Sequence, residues 1–78
     1  MTDGAAPHDP DDCFAEMAAD QCALLDRLAD GQTIAAAAAG EFLSLRTANR
    51  RVADLRERRG VGTTRELVAA YVRWRMRR

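Results

Sequence analysis

The chain has 78 residues, a formal net charge of zero, and nearly half its residues apolar, yet Phe, Trp and Tyr together supply only four side chains. A chain of this length makes one domain that hides about 60–65% of its unfolded surface, which favours close helix contacts and excludes a large enzyme-like interior. No stretch approaches the roughly 20 apolar residues of a membrane span, and the acidic, proline-containing start has none of the pattern of a signal peptide, so a cytoplasmic protein is expected.

The zero net charge conceals a dipole along the sequence. Residues 1–43 hold nine acids against one Arg, whereas residues 44–78 hold eleven Arg against three acids. A basic half suits a polyanion; an acidic half suits solubility, a basic protein partner, or restraint of the chain's own basic half. Every basic residue is Arg, a planar donor able to engage phosphate or carboxylate through two parallel hydrogen bonds.

In chain order, residues 1–11 read as a disordered acidic leader, rich in Gly, Pro and Asp. Residues 12–78 read as the folded domain. Asp11 or Asp12 can cap a first helix from about Asp12 to Asp30, with Phe14, Met17, Ala18, Leu24, Leu25 and Leu28 on its apolar face and Gly31 as its stop. Its outer face carries Glu16, Asp20, Asp26 and Asp30, which would repel DNA and should point away from it. Cys13 and Cys22 lie about half a turn out of phase on such a helix, so no disulfide between them is expected. His8, Asp9, Asp11, Asp12 and Cys13 have no zinc-ligand spacing, and no metal or cofactor is expected.

Thr33 caps a short second helix, Ile34 to about Ala39, whose alanines allow close approach of a neighbouring helix. Gly40, Glu41, Phe42 and Leu43 form a tight turn, with Phe42 and Leu43 expected to plug the space between helices. Ser44 then caps a third helix that runs without Gly or Pro to Gly60. Ala48, Val52, Leu55 and, more loosely, Leu45 fall on its inner stripe, and Arg46, Asn49 and Arg50 point outward. Arg suits phosphates and guanine edges, and Asn suits adenine; a solvated, salt-bridged surface helix has the same pattern, and the helix in isolation leaves both readings open.

After Gly60-Val61-Gly62, Thr63-x-x-Glu66 is a capping box for a fourth helix. Leu67, Ala70, Tyr71 and Trp74 form its main apolar stripe, and Val68 and Val72 form a second that suits either the core or self-association. Arg73, Arg75, Arg77 and Arg78 make a basic tail. There is no Ser/His/Asp set and no phosphate-binding glycine loop, so no catalytic residues are expected.

Taken together, Leu24-Leu25-x-x-Leu28-Ala29-Asp30-Gly31, Phe42-Leu43-Ser44-Leu45-Arg46-Thr47 and Gly60-Val61 followed by Thr63 resemble the LuxR/GerE-type DNA-binding domain, over roughly residues 17–72. The short chain is similar to stand-alone regulators of that family. The resemblance implies an all-α, four-helix helix-turn-helix domain whose third helix reads the major groove of double-stranded DNA, acting as a transcriptional regulator and homodimer. It implies base-reading places at Arg46, Asn49 and Arg50, phosphate contacts at Thr33, Thr47, Arg51 and Arg58, and a dimer stripe at Val68 and Val72.

Three positions depart from that pattern. Ala48 replaces a branched aliphatic, Arg59 replaces an aliphatic before glycine, and Glu41 occupies a place usually given to Leu. Replacing a large buried side chain by Ala costs about 2–5 kcal/mol, so a core completed by Phe14, Tyr71 and Trp74, or by a partner, is expected. A second reading is therefore a protein-binding adaptor on the same scaffold, contacting RNA polymerase or another regulator. The promoter-reading C-terminal domain of sigma factors shares the layout, but Gly60-Val61 and the capped last helix fit it less well.

Overall fold

A computed structural model describes residues 11–77. Five helices follow in order: α1 (Asp12–Ala15), α2 (Ala19–Ala29), α3 (Ile34–Gly40), α4 (Leu45–Arg59) and α5 (Thr64–Arg77). The described residues are helical with connecting turns and contain no strand, as the all-α expectation requires. The expected leader over residues 1–10 lies outside the described residues. Asp11, assigned to that leader from sequence, is instead buried and forms ion pairs with Arg59 and Arg77.

The expected single first helix is two. Ala18 takes an extended conformation with ψ 159°, and the chain turns at residues 16–18 before restarting as α2. Ala18 has no side chain to cap the new helix, but the Gln21 amide oxygen accepts a hydrogen bond from its backbone N–H at 3.1 Å. Helix propensity gives no reason for this break, since the segment contains neither Gly nor Pro. Tertiary contacts do: α1 packs on α4, and Phe14 is 1% exposed, with its ring 5.5 Å from Tyr71 and 5.7 Å from Trp74. Aromatic contacts at these separations contribute about 0.5–1.5 kcal/mol each beyond the area they bury.

Elsewhere the local signals act as read. Gly31 and Gly60 take positive φ, +94° and +82°, where a Cβ would be strained, and they stop α2 and α4. The Thr33 and Ser44 hydroxyls each accept a backbone N–H at 3.1 Å, from Ala36 and Thr47, satisfying donors left open at the starts of α3 and α4. At α5 the Thr63 hydroxyl accepts the Glu66 N–H at 3.1 Å and donates to the Glu66 carboxylate at 3.0 Å. The Glu66 carboxylate therefore reaches the hydroxyl instead of the backbone N–H of the usual reciprocal box.

The core joins Leu24, Leu25 and Leu28 of α2, Ala37 and Ala38 of α3, Ala48, Val52 and Leu55 of α4, and Leu67, Ala70 and Tyr71 of α5. Small residues on α3 and at Ala48 let those two helices pack across a turn of only a few residues. Leu43 packs at the core edge as expected. Phe42 does not: it is 97% exposed and has φ +58°, so the expectation that it plugs the interhelical space is wrong. The turn is held by its backbone instead, with the Phe42 N–H donating to the Ala39 carbonyl at 3.2 Å and the Leu43 N–H to the Ala38 carbonyl at 2.9 Å.

Two of the three departures from the resemblance have ionic partners. The Arg27 Nε donates to Glu41 at 2.6 Å while its Nη2 reaches the Gly40 carbonyl at 3.3 Å, so Glu41 joins α2 to the end of α3 through charge. A Cβ at Gly40 would meet that guanidinium, so a larger residue there would require the Arg27 side chain to shift. Arg59, largely buried, lies 2.9 Å from the Asp11 carboxylate. No helix of the described chain is long and apolar enough to cross a membrane.

Candidate nucleic-acid interface

Helix α4 is fixed at both ends and along one stripe. Ser44 caps its start, Gly60 ends it, and Ala48, Val52 and Leu55 are each no more than 1% exposed. With about 100° between successive residues, this buried stripe dictates where every other side chain of α4 points.

Opposite the stripe lie Arg46, Asn49 and Arg50, all exposed and brought onto one face by their three- and four-residue spacing. Among the described residues neither arginine forms an ion pair. Each guanidinium presents its donors to solvent from a helix whose backbone is immobilised by capping and burial, an arrangement able to engage a base edge or a phosphate without reorganising the protein.

The adjoining strip of α4 carries Thr47, Arg51 and Arg58 and is differently occupied. Arg51 Nη1 donates to Asp20 of α2 at 2.9 Å, and Arg58 Nη2 donates to Glu16, in the α1–α2 turn, at 3.4 Å. The Thr47 hydroxyl accepts a hydrogen bond from Ser44 Oγ at 2.9 Å. Thr33 stands exposed at the start of α3, with its hydroxyl engaged in the helix cap. Two acids of the face expected to point away from DNA, Glu16 and Asp20, thus reach α4 and pair with its arginines. On the opposite flank Arg56 Nη1 donates to the Thr64 hydroxyl at 3.4 Å, linking α4 to α5.

Two arginines of the basic tail, Arg75 and Arg77, are also committed. Arg75 donates to Asp26 at 2.7 Å and lies over the Tyr71 ring, and Arg77 pairs with Asp11. Asp26 further accepts the Tyr71 hydroxyl at 2.6 Å; burial and this hydrogen bond push the phenol above its ordinary range of ionisation. Burial likewise raises the Cys13 thiol, which disfavours a reactive thiolate, and Cys13 and Cys22 are both free of disulfides. Arg65 and Arg73 of α5 are exposed and, among the described residues, carry no ion pair. Val68 packs against the core edge from a half-buried position, and Val72 is half-buried on the same side of α5, with Met76 79% exposed beyond it.

Sequence reasoning missed the carboxylates that hold Arg51, Arg58, Arg59 and Arg75. Their signal was the charge asymmetry between the halves of the chain, which shows that pairing is available without showing which residues meet. No family model matches the chain, and no curated protein or solved structure matches it either.

Proposed function

We propose that this protein is a sequence-specific, double-stranded DNA-binding regulator in which α3 and α4 act as a helix-turn-helix. In this reading α4, about 22 Å long, lies in the major groove with Arg46, Asn49 and Arg50 at the base edges. Thr33, Thr47, Arg51 and Arg58 approach flanking phosphates, and a second copy docks through Val68 and Val72 of α5, placing two copies of α4 about one helical turn of DNA apart. The observation that carries the reading is the exposed Arg46/Asn49/Arg50 face on a capped, core-anchored helix, its guanidiniums without carboxylate partners among the described residues, where Arg27, Arg51, Arg58, Arg59, Arg75 and Arg77 each have one. Titration of the full chain against genomic duplexes at several salt concentrations tests it: affinity should fall steeply with salt and differ between sequences. Absence of binding by folded protein at low salt overturns it.

A second reading has a specific observation of its own. Phe42, nearly fully exposed in the turn before α4, offers an aromatic anchor of the kind that dominates protein interfaces. On that reading the scaffold is an adaptor for RNA polymerase or another regulator, and Phe42→Ala abolishes capture of the partner while leaving DNA affinity unchanged.

A further inference from the structure

Two of the four side chains assigned to phosphate contact are already held by carboxylates from the other half of the chain. Arg51 is 2.9 Å from Asp20, and Arg58 is 3.4 Å from Glu16. Both acids come from the segment around the α1–α2 break, and both arginines lie on the single strip of α4 that faces it. A carboxylate at these distances supplies the same anionic, two-oxygen acceptor that a phosphate would. Arg46 and Arg50, on the neighbouring strip, have no such partner among the described residues.

We propose that the Glu16/Asp20 edge is an internal phosphate mimic: an autoinhibitory contact that competes with a polyanion for Arg51 and Arg58 and lowers affinity for all sequences without altering which sequence is preferred. The proposal rests on the DNA-binding reading for its biological meaning, while its physical content concerns any polyphosphate. Docking a backbone requires Arg51 to exchange one anion for another, so the gain from that contact is the difference between two charge-assisted interactions. Solvent-exposed pairs of this kind are weak, so the expected restraint is modest, about two- to fivefold in affinity for each pair. The tighter Asp20 pair should account for more of it than the Glu16 pair. Anything that draws the acidic edge away, such as a basic partner seated on α1–α2, would release both arginines together.

The experiment separates this competition from the general effect of removing a negative charge. Binding of the full-length protein to a random-sequence duplex and to inorganic polyphosphate is measured for the wild type, Asp20→Asn and Asp30→Asn, and for both Asn variants in an Arg51→Ala background. Asp30 is exposed at the far end of α2 and forms no ion pair among the described residues, so its variant changes the net charge equally. The expected result is that Asp20→Asn tightens binding to both probes several times more than Asp30→Asn, and that Arg51→Ala abolishes the difference. Equal effects of the two Asn variants, or a difference that persists without Arg51, overturns the proposal while leaving DNA binding intact. Binding of polyphosphate with no binding of any duplex overturns the DNA reading, and the polyphosphate comparison still decides the competition. Failure to bind either probe overturns both.

Discussion

Two neighbouring strips of α4 carry arginines that look alike in sequence and differ in the fold. On the outer strip Arg46 and Arg50 face solvent with their charges uncompensated among the described residues, whereas on the strip turned toward α1 and α2 Arg51 and Arg58 meet Asp20 and Glu16. The difference is set by the buried stripe of Ala48, Val52 and Leu55, which fixes the rotation of the helix and hence which arginines lie within reach of an acid. Charge count is therefore a poor guide to anion binding here; the useful quantity is charge not already answered from within.

This contrast can be broken or sharpened by substitution. The largest expected effect is that of Arg50→Ala, which should reduce affinity for a preferred duplex by about 1–3 kcal/mol, or about five- to 150-fold, while leaving random-sequence binding much less affected. Next is Val72→Glu, which places a charge on the proposed dimer stripe without entering the main core; it should weaken self-association at least about tenfold in sedimentation, and an unchanged dimer would remove α5 from the interface. Phe42→Gly should raise stability by about 1 kcal/mol in denaturant titration, because an exposed side chain is lost and a left-handed residue is relieved. Loss of stability would show that Phe42 contributes to the fold after all. The smallest effect is that of Arg58→Ala, a uniform weakening of about 1 kcal/mol or less, since this arginine must first leave Glu16.

Much of the framework is legible from local chemistry. Ser44 and Gly60 delimit α4, Thr33 and Gly31 bracket the turn into α3, and Thr63 starts α5, because caps and stops act over three or four residues and are written within that distance. The break between α1 and α2 is not legible in this way. Its residues favour helix, and the gain that opposes them comes from Phe14 meeting Tyr71 and Trp74 far along the chain. Phe42 misleads for a related reason: a large apolar residue in a tight turn suggests filling, but the backbone at φ +58° directs it outward.

The three departures from the resembled pattern show the same limit. Glu41 and Arg59 look like losses of apolar contact until Arg27 and Asp11 are seen beside them. Asp20 and Arg51 are 31 residues apart and Glu16 and Arg58 are 42 apart, so the pairing depends on the finished fold. Ala48 remains a small side chain, fully buried, with the alanine face of α3 packed on the same helix. The compensation is thus partly ionic and partly a closer approach of small residues.

The central claim, that the outer strip of α4 reads sequence while the paired strip supplies only general attraction, is tested most directly by one ratio: affinity for the preferred duplex divided by affinity for a random one, measured in Arg50→Ala and in Arg58→Ala. The ratio should collapse in the first variant and hold its wild-type value in the second. Equal ratios in the two variants would contradict the division.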